Sequence, residues 1–294
     1  MKHGLVYSKN SLDFFVEYNS ASRDWSNLRE EFRNDAKMIS NNYGPVYVGF
    51  SSGIDSQIIA RSFLDQKLDA EFVFLHYPGY NDIEYNRVKE CESTFNFSVN
   101  VLKLNIDNLK EEWVARSLTE TPKLMHQYTF EWLSNQLPEP WPFITQGSSE
   151  PAIIGTNKEN VSVYHNYYDA MEQRFKLMSQ FRKVIDFPYS PESISSYYTD
   201  PALKTFCSTI SYFSANNKTE QLQLFNTYAK AHVKGKYFSD LIWYSKLSGY
   251  EMFPNWVVSE LNPSTRVSVP YWELVEFLET TRNKIKKFNS WNFK

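Results

Sequence analysis

Between residues 46 and 145 the chain alternates short apolar runs with longer segments of helical spacing, and small or polar residues close each run. Val46, Tyr47, Val48 and Phe50 form the first run, and β-branched and aromatic residues set this closely predict a buried strand. The runs at 71–76 (EFVFLH), 99–104 (VNVLKL) and 143–145 (FIT) predict three more. Residues 57–64, 84–95, 108–117 and 124–137 read as helices between them. Strand and helix alternating at this pitch predict βαβ units, hence an α/β fold with a parallel, doubly wound sheet of about five strands.

The flanks read differently. Leu12, Phe14, Phe15 and Val16 form a short apolar stretch, and a helical pattern over 22–39 is stopped by the Asn41-Asn42-Tyr43-Gly44-Pro45 turn. Past residue 151 the strand signal fades to one stretch at 161–164, while 170–180, 191–198, 201–215, 219–231, 239–247 and 271–288 have helical character. The expected organisation is an N-terminal cap (1–45), an α/β core (46–155) and a helix-rich C-terminal substrate region (156–294).

Composition narrows the function classes. Of 294 residues, 42% are hydrophobic and 22% charged, enough apolar material for one large domain or two small ones. The 20 Tyr and 22 Phe show no periodic ladder, so they are expected in the core rather than on a base-stacking platform. No apolar run is long enough to span a membrane, and the first residues have no apolar core of a signal peptide. The expectation is a cytoplasmic protein with no membrane partner. Cys91 and Cys207 are far apart and in no metal-ligand spacing, which argues against a disulfide framework, a zinc site or a CxxC redox centre. Residues 1–150 hold 14 basic and 21 acidic side chains (net −7), the rest 17 and 13 (net +4). The second half suits an anionic small molecule; a tRNA contact is possible but is not indicated by so mild a charge.

The chemistry concentrates in Ser51-Ser52-Gly53-Ile54-Asp55-Ser56, which joins the first strand to the first helix. A loop of small residues at a helix N-terminus presents backbone N–H groups in the positive end of the helix dipole, an arrangement that cradles phosphate. It has neither the Lys-Ser/Thr ending of a Walker A loop nor the G-x-G-x-x-G of a dinucleotide fold. It resembles instead the S-G-G-x-D-S loop of the PP-loop ATP pyrophosphatases, and the resemblance to the synthetase domain of asparagine synthetase extends over residues 44–155. Ser51, Gly53, Asp55 and Ser56 match position for position; Ser52 stands where the family usually has glycine, and its Cβ restricts a left-handed backbone.

The resemblance implies that magnesium–ATP sits on this loop. Ser51, Ser52, Gly53, Ile54 and Ser56 then bind the phosphates and Asp55 the metal, while His76, ending the second strand, runs beside the adenine and ribose. Thr145-Gln146-Gly147-Ser148-Ser149-Glu150 is similar in placement to the acidic turn of asparagine synthetases. Gly147 is accordingly expected at the cofactor and Glu150 on magnesium with Asp55. A pyrophosphate leaving group also needs positive charge, and Lys234, Lys236 and Lys246 are the clamp candidates as a group. Lys246, at the head of a polar turn, joins Asp55 and Glu150 in the expected catalytic set.

The expected activity is therefore cleavage of ATP to AMP and pyrophosphate, activating a small-molecule substrate for amide or C–N bond formation. Residue 2 is Lys2 rather than the nucleophilic cysteine of glutamine-dependent asparagine synthetases. The amine is then expected as free ammonia, another amine, or the product of a partner subunit. Sulfur-transferring branches of the superfamily rely on cysteines unlike these two. A zinc-free relative of the branch that makes 7-cyano-7-deazaguanine, acting on a nucleobase or tRNA, is the alternative enzyme. A module that holds a nucleotide without turning it over is the alternative from another class.

Overall fold

The computed structural model describes residues 5–10, 13–18, 23–109, 111, 125–145, 152–157, 160–164, 180–187, 190–198, 200–202 and 230–244. First comes an antiparallel hairpin of β1 (Leu5–Asn10) and β2 (Asp13–Tyr18). Helix α1 (Leu28–Tyr43) begins at Asn27, whose side chain accepts the Glu30 N–H at 3.1 Å, and ends at Gly44 with φ +73°. The alternating section is β3 (Val46–Gly49), α2 (Ile54–Leu64), β4 (Ala70–His76), α3 (Asp82–Phe95), β5 (Val99–Lys103), α4 (Met125–Gln136) and β6 (Phe143–Thr145). A second hairpin pairs β7 (Ala152–Asn157) with β8 (Asn160–Tyr164). Then follow β9 (Val184–Asp186), α5 (Pro191–Tyr198), and a π-helical turn Lys230–Lys234 running into α6 (Gly235–Tyr237).

The five-stranded sheet has the order β5-β4-β3-β6-β9 and is parallel throughout. The chain enters at the centre with β3, grows outward through β4 and β5, and returns to the other side of β3 with β6 and β9. Side chains alternate across β3 with period two. Val46, Val48 and Phe50 join α1, α2 and α3 in one core, with Phe32, Ile39, Ile58, Phe63, Val88 and Cys91. Tyr47 points the other way, into a second core with Phe130 and Leu133 of α4, Leu137 and Phe143. Helices thus cover both faces, the doubly wound α/β arrangement. Burial on both faces is also why the first apolar run shows no polar alternation. Gly49 permits the close approach of β3 to β6, since a Cβ there would lie 3.1 Å from the Phe143 ring.

Charged side chains tie the outer helices together. Asp65, just past α2, takes Arg33 at 2.6 Å, Arg61 at 2.7 Å and Arg29 at 3.2 Å, and Arg29 also reaches Asp240 at 2.7 Å. Burial would raise the Asp65 carboxyl, but the three guanidinium groups hold it below its ordinary value. The C-terminal segment is thereby fastened to α1 and α2.

All four expected strands of the 46–145 section are present. The structure corrects the reading at other points. Phe14, Phe15 and Val16 of the N-terminal apolar stretch lie in a hairpin strand, β2. Helix α1 starts at Leu28 rather than near 22, because Asn27 caps it. Helix α2 begins three residues earlier than expected, at Ile54. The strand at 161–164 has β7 as its partner, and β9, three residues long, completes the sheet from residues past 155. Helix 191–198 is present as α5. Residues 239–244 are not helical, because the Ile242 backbone bonds through both its N–H (3.0 Å) and its C=O (2.8 Å) to the Gln57 side chain. Most of the expected helices at 108–117, 170–180, 201–215 and 219–231, and all of 271–288, lie outside the described residues. Cys91 is a buried small hydrophobe as expected, its thiol pushed up to about 11 by burial; Cys207 lies outside the described residues.

Candidate functional site

In a doubly wound sheet the crevice for a ligand opens at the carboxyl edge, where strand order reverses. Here the reversal falls between β3 and β6, which pair Tyr47 with Phe143 and Val48 with Ile144. The loop leaving β3 at that edge is Ser51–Ser56.

The loop's backbone is set for an anion. Gly53 is the N-cap of α2 and has no side chain to take up the first-turn N–H groups of Ile54, Asp55 and Ser56. Ser56 instead turns back into the loop: its Oγ donates to the Gly53 carbonyl at 2.9 Å and accepts the Ser51 N–H at 3.2 Å, with the Ser51 Oγ at 3.4 Å. Ser52 is buried and has φ +60°, a left-handed conformation strained for any residue with a Cβ. That is the restriction expected at the one position departing from the family motif. Gly53, by contrast, has an ordinary extended backbone (φ −62°, ψ 154°), and a Cβ there would meet only the Ser51 Oγ at 3.6 Å. Among the described residues nothing requires glycine at 53; close approach of a ligand from outside would.

The decisive charge comes from far along the chain. Lys234, last residue of the π-helical turn, places its Nζ 2.5 Å from Asp55 Oδ1, with side-chain exposures of 6% and 17%. The segment behind it is firmly held: Val233, Phe238 and Leu241 lie in the core, and the Gln57 amide joins the Ser52 carbonyl (2.7 Å) to the Ile242 carbonyl. Gln57 is fully buried and was not among the expected site residues. The signal for it was an amide directly before the apolar Ile58-Ile59-Ala60 run of α2, since a buried polar side chain must find partners.

Of the lysine group, Lys234 reaches the loop. Lys236 lies instead on Asp200 (3.1 Å) and on the Tyr237 hydroxyl (3.0 Å). Lys246, Gly147 and Glu150 lie outside the described residues. His76 is at the carboxyl edge, on the strand beside β3, but its ring is turned into the packing of β4 on α3. Its Nε2 bonds Asp82 at 2.7 Å, Tyr85 stacks on it at 4.4 Å and 9°, and Nδ1 is buried without a hydrogen-bond partner. Bonds from His76 and from the Gly79 N–H lower the Asp82 carboxyl below its ordinary value.

A single carboxylate beside phosphates fits magnesium, which keeps water and takes one or two protein oxygens. Asp55 already carries a cation, the Lys234 ammonium, where the metal would bind. Among the described residues no group of three or more His, Cys, Asp or Glu side chains could hold a metal by itself. None of the helices described is long and apolar enough to cross a membrane.

No family model matches the chain, and no curated protein matches it. Solved structures resemble it remotely. A predicted subunit of tRNA methyltransferase from Methanocaldococcus jannaschii is 15% identical, with 56% of this chain and 74% of that one covered and a TM-score of 0.30. NMN synthetase from Francisella tularensis is 14% identical, covering 76% and 100%, at 0.36. The NH3-dependent NAD synthetase from Campylobacter jejuni is 13% identical, with the same coverage, at 0.34. Likeness this remote says nothing of substrate, and the chemistry has to come from the loop's own residues.

Proposed function

We propose that the chain is a PP-loop ATP pyrophosphatase that forms an adenylate, and the observation that carries this is Lys234 held over Asp55 on the Ser51–Ser56 loop at the point where strand order reverses. A phosphate-binding loop alone suits many proteins. A buried ammonium beside a carboxylate at this helix end would supply, in addition, what departing pyrophosphate needs: positive charge from Lys234 for its oxygens and, in Asp55, a side chain that would hold magnesium.

The first-turn N–H groups and the Ser51 and Ser56 hydroxyls hold the β- and γ-phosphates, Asp55 would hold magnesium, and Lys234 draws off charge from the leaving group. A carboxylate oxygen of the substrate attacks the α-phosphorus and the bond to the α–β bridging oxygen breaks. The substrate becomes an acyl adenylate and pyrophosphate remains on the loop. Ammonia or an amine then attacks the acyl carbon, loses a proton, and AMP departs. The protein contributes position and preorganised charge. Amide formation in the manner of asparagine synthetase is the finer part of the proposal, supported by the Ser51, Gly53, Asp55 and Ser56 match.

The test is the product pair. With magnesium–ATP and a panel of carboxylic acids plus ammonia, AMP and pyrophosphate should appear in equal amounts, and labelled pyrophosphate should exchange into ATP with the right acid. ADP and phosphate as main products would refute the assignment. Tight ATP binding with no exchange across the panel would favour a nucleotide-holding module.

A further inference from the structure

Resting on that phosphate-binding reading, we infer that the Lys234–Asp55 ion pair makes divalent metal and polyphosphate obligate partners, each admitted to the loop with the other and poorly alone. Asp55 is well placed in the first turn of α2, where the dipole favours negative charge. Lys234 is badly placed there, a buried ammonium at the positive end of a helix. Its side chain is 6% exposed, and the segment that carries it is held in place, with Val233, Phe238 and Leu241 in the core and Ile242 fastened to Gln57. Lys234 is tolerated at this place with Asp55 beside it.

Each half of the pair therefore guards the other half's ligand. A lone divalent cation approaching Asp55 meets the ammonium 2.5 Å from its oxygen, and like charges at that range in a partly buried site repel strongly. A lone polyphosphate approaching Lys234 and the α2 N–H groups meets the Asp55 carboxylate. When both arrive, the cation takes Asp55, the phosphate oxygens take Lys234, and the pair opens by exchange of partners. No buried charge is left uncompensated. By linkage, metal and polyphosphate must then raise each other's affinity by one common factor.

Inorganic pyrophosphate and Mn2+ serve as the probes, titrated separately and together on the full chain by calorimetry and by the Mn2+ magnetic resonance signal, at matched free concentrations. Wild-type protein should bind metal–pyrophosphate and either component alone more weakly by about tenfold or more. Asp55→Asn should bind metal-free pyrophosphate about tenfold more tightly than wild type and lose the enhancement by metal. Lys234→Met should do the reverse, gaining affinity for Mn2+ alone and losing it for pyrophosphate. Circular dichroism checks that each variant folds; should Lys234→Met not fold, Asp55→Asn decides by itself, because its predicted gain in anion affinity cannot arise from lost structure. Metal-free pyrophosphate binding unchanged or weaker in Asp55→Asn, with wild type still binding metal–pyrophosphate, would overturn the coupling and leave the function standing. Wild-type protein that binds pyrophosphate neither with metal nor without it would overturn the phosphate-binding reading itself.

Discussion

Strands β3 and β4 run side by side into the same edge of the sheet and end in loops built on opposite plans. The loop after β4 closes on itself. Asn81 accepts the Tyr77 N–H at 2.7 Å and donates to the Leu75 carbonyl at 2.9 Å, Asp82 accepts the Gly79 N–H at 3.1 Å, and the positive φ falls on glycine, Gly79 at +84°. The loop after β3 gives its positive φ to Ser52, sets a glycine without an acceptor at the helix cap, and meets its countercharge 179 residues away. One loop satisfies its backbone with neighbouring side chains and is thereby finished as structure. The other carries strain and presents donors at the place where the topology opens a crevice, the combination that folded proteins keep for functional sites.

The largest effect should fall on the chemistry of the open loop. Asp55→Asn is nearly isosteric but takes the carboxylate from the buried Lys234 ammonium, so the thermal midpoint should fall, while turnover of ATP to AMP, measured where the variant is folded, falls by about a hundredfold, the loss expected when a metal anchor is removed from phosphoryl chemistry. Full activity in that variant, with magnesium still required, would place the metal on other residues.

The closed loop should respond in stability alone. Asn81 is buried, and both its amide oxygen and its amide nitrogen bond to backbone. Asn81→Ala should cost about 2 kcal/mol of stability by leaving a buried N–H and a carbonyl unmet, read as a lower midpoint in urea. Pyrophosphate affinity at temperatures where the variant is folded should stay within about twofold of wild type. A strong affinity loss in folded Asn81→Ala would mean that the β4 loop belongs to the site after all.

Acid should separate the two loops as well. The Asp82 carboxyl is held below its ordinary value of 3.8 by His76 and the Gly79 N–H. A carboxyl lowered on folding stabilises the protein above its unfolded value, and the contribution is lost as pH falls from there through the folded value. Stability measured by denaturant at pH 6 and again below pH 4 should therefore drop more in wild type than in Asp82→Asn. Equal drops would show that the bond to His76 contributes nothing to folding.

How much of this was legible beforehand follows from range in the sequence. The strand-loop-helix around Ser51–Ser56 is a local pattern, and β3, β4, β5 and β6 are apolar runs bounded by turns, so both could be read directly. Ser52 as the strained position followed from a Cβ where the family motif has glycine. That Lys234 rather than Lys236 reaches Asp55 was not legible, because what brings Lys234 there is the packing of Val233, Phe238 and Leu241 and the Gln57 amide, none of which leaves a local trace. Nor was the break in the helix expected over 239–247, where a tertiary bond to Ile242 overrides an acceptable helical pattern. His76 was rightly put at the edge, but whether its ring faced a ligand or α3 depended on Asp82 and Tyr85, a turn further on.

The smallest effect is the most pointed, since its sign is unusual. A residue with a Cβ held in the left-handed region costs about 1–2 kcal/mol relative to the right-handed one, and Ser52 sits there at φ +60°. Glycine relieves that strain but loses more freedom on folding, by roughly 0.5–1 kcal/mol. Ser52→Gly should therefore stabilise the protein by about 0.5 kcal/mol, seen as a small rise in the urea midpoint, where most substitutions of a buried residue lower it. Ser52→Ala keeps the Cβ and should give no such rise. Because the carbonyl of residue 52 still bonds Gln57 in either variant, the loop keeps its course and pyrophosphate affinity should hold. If Ser52→Gly instead destabilised the protein, the Ser52 hydroxyl would be holding the loop together, and this loop would be closed by its own side chains as the β4 loop is.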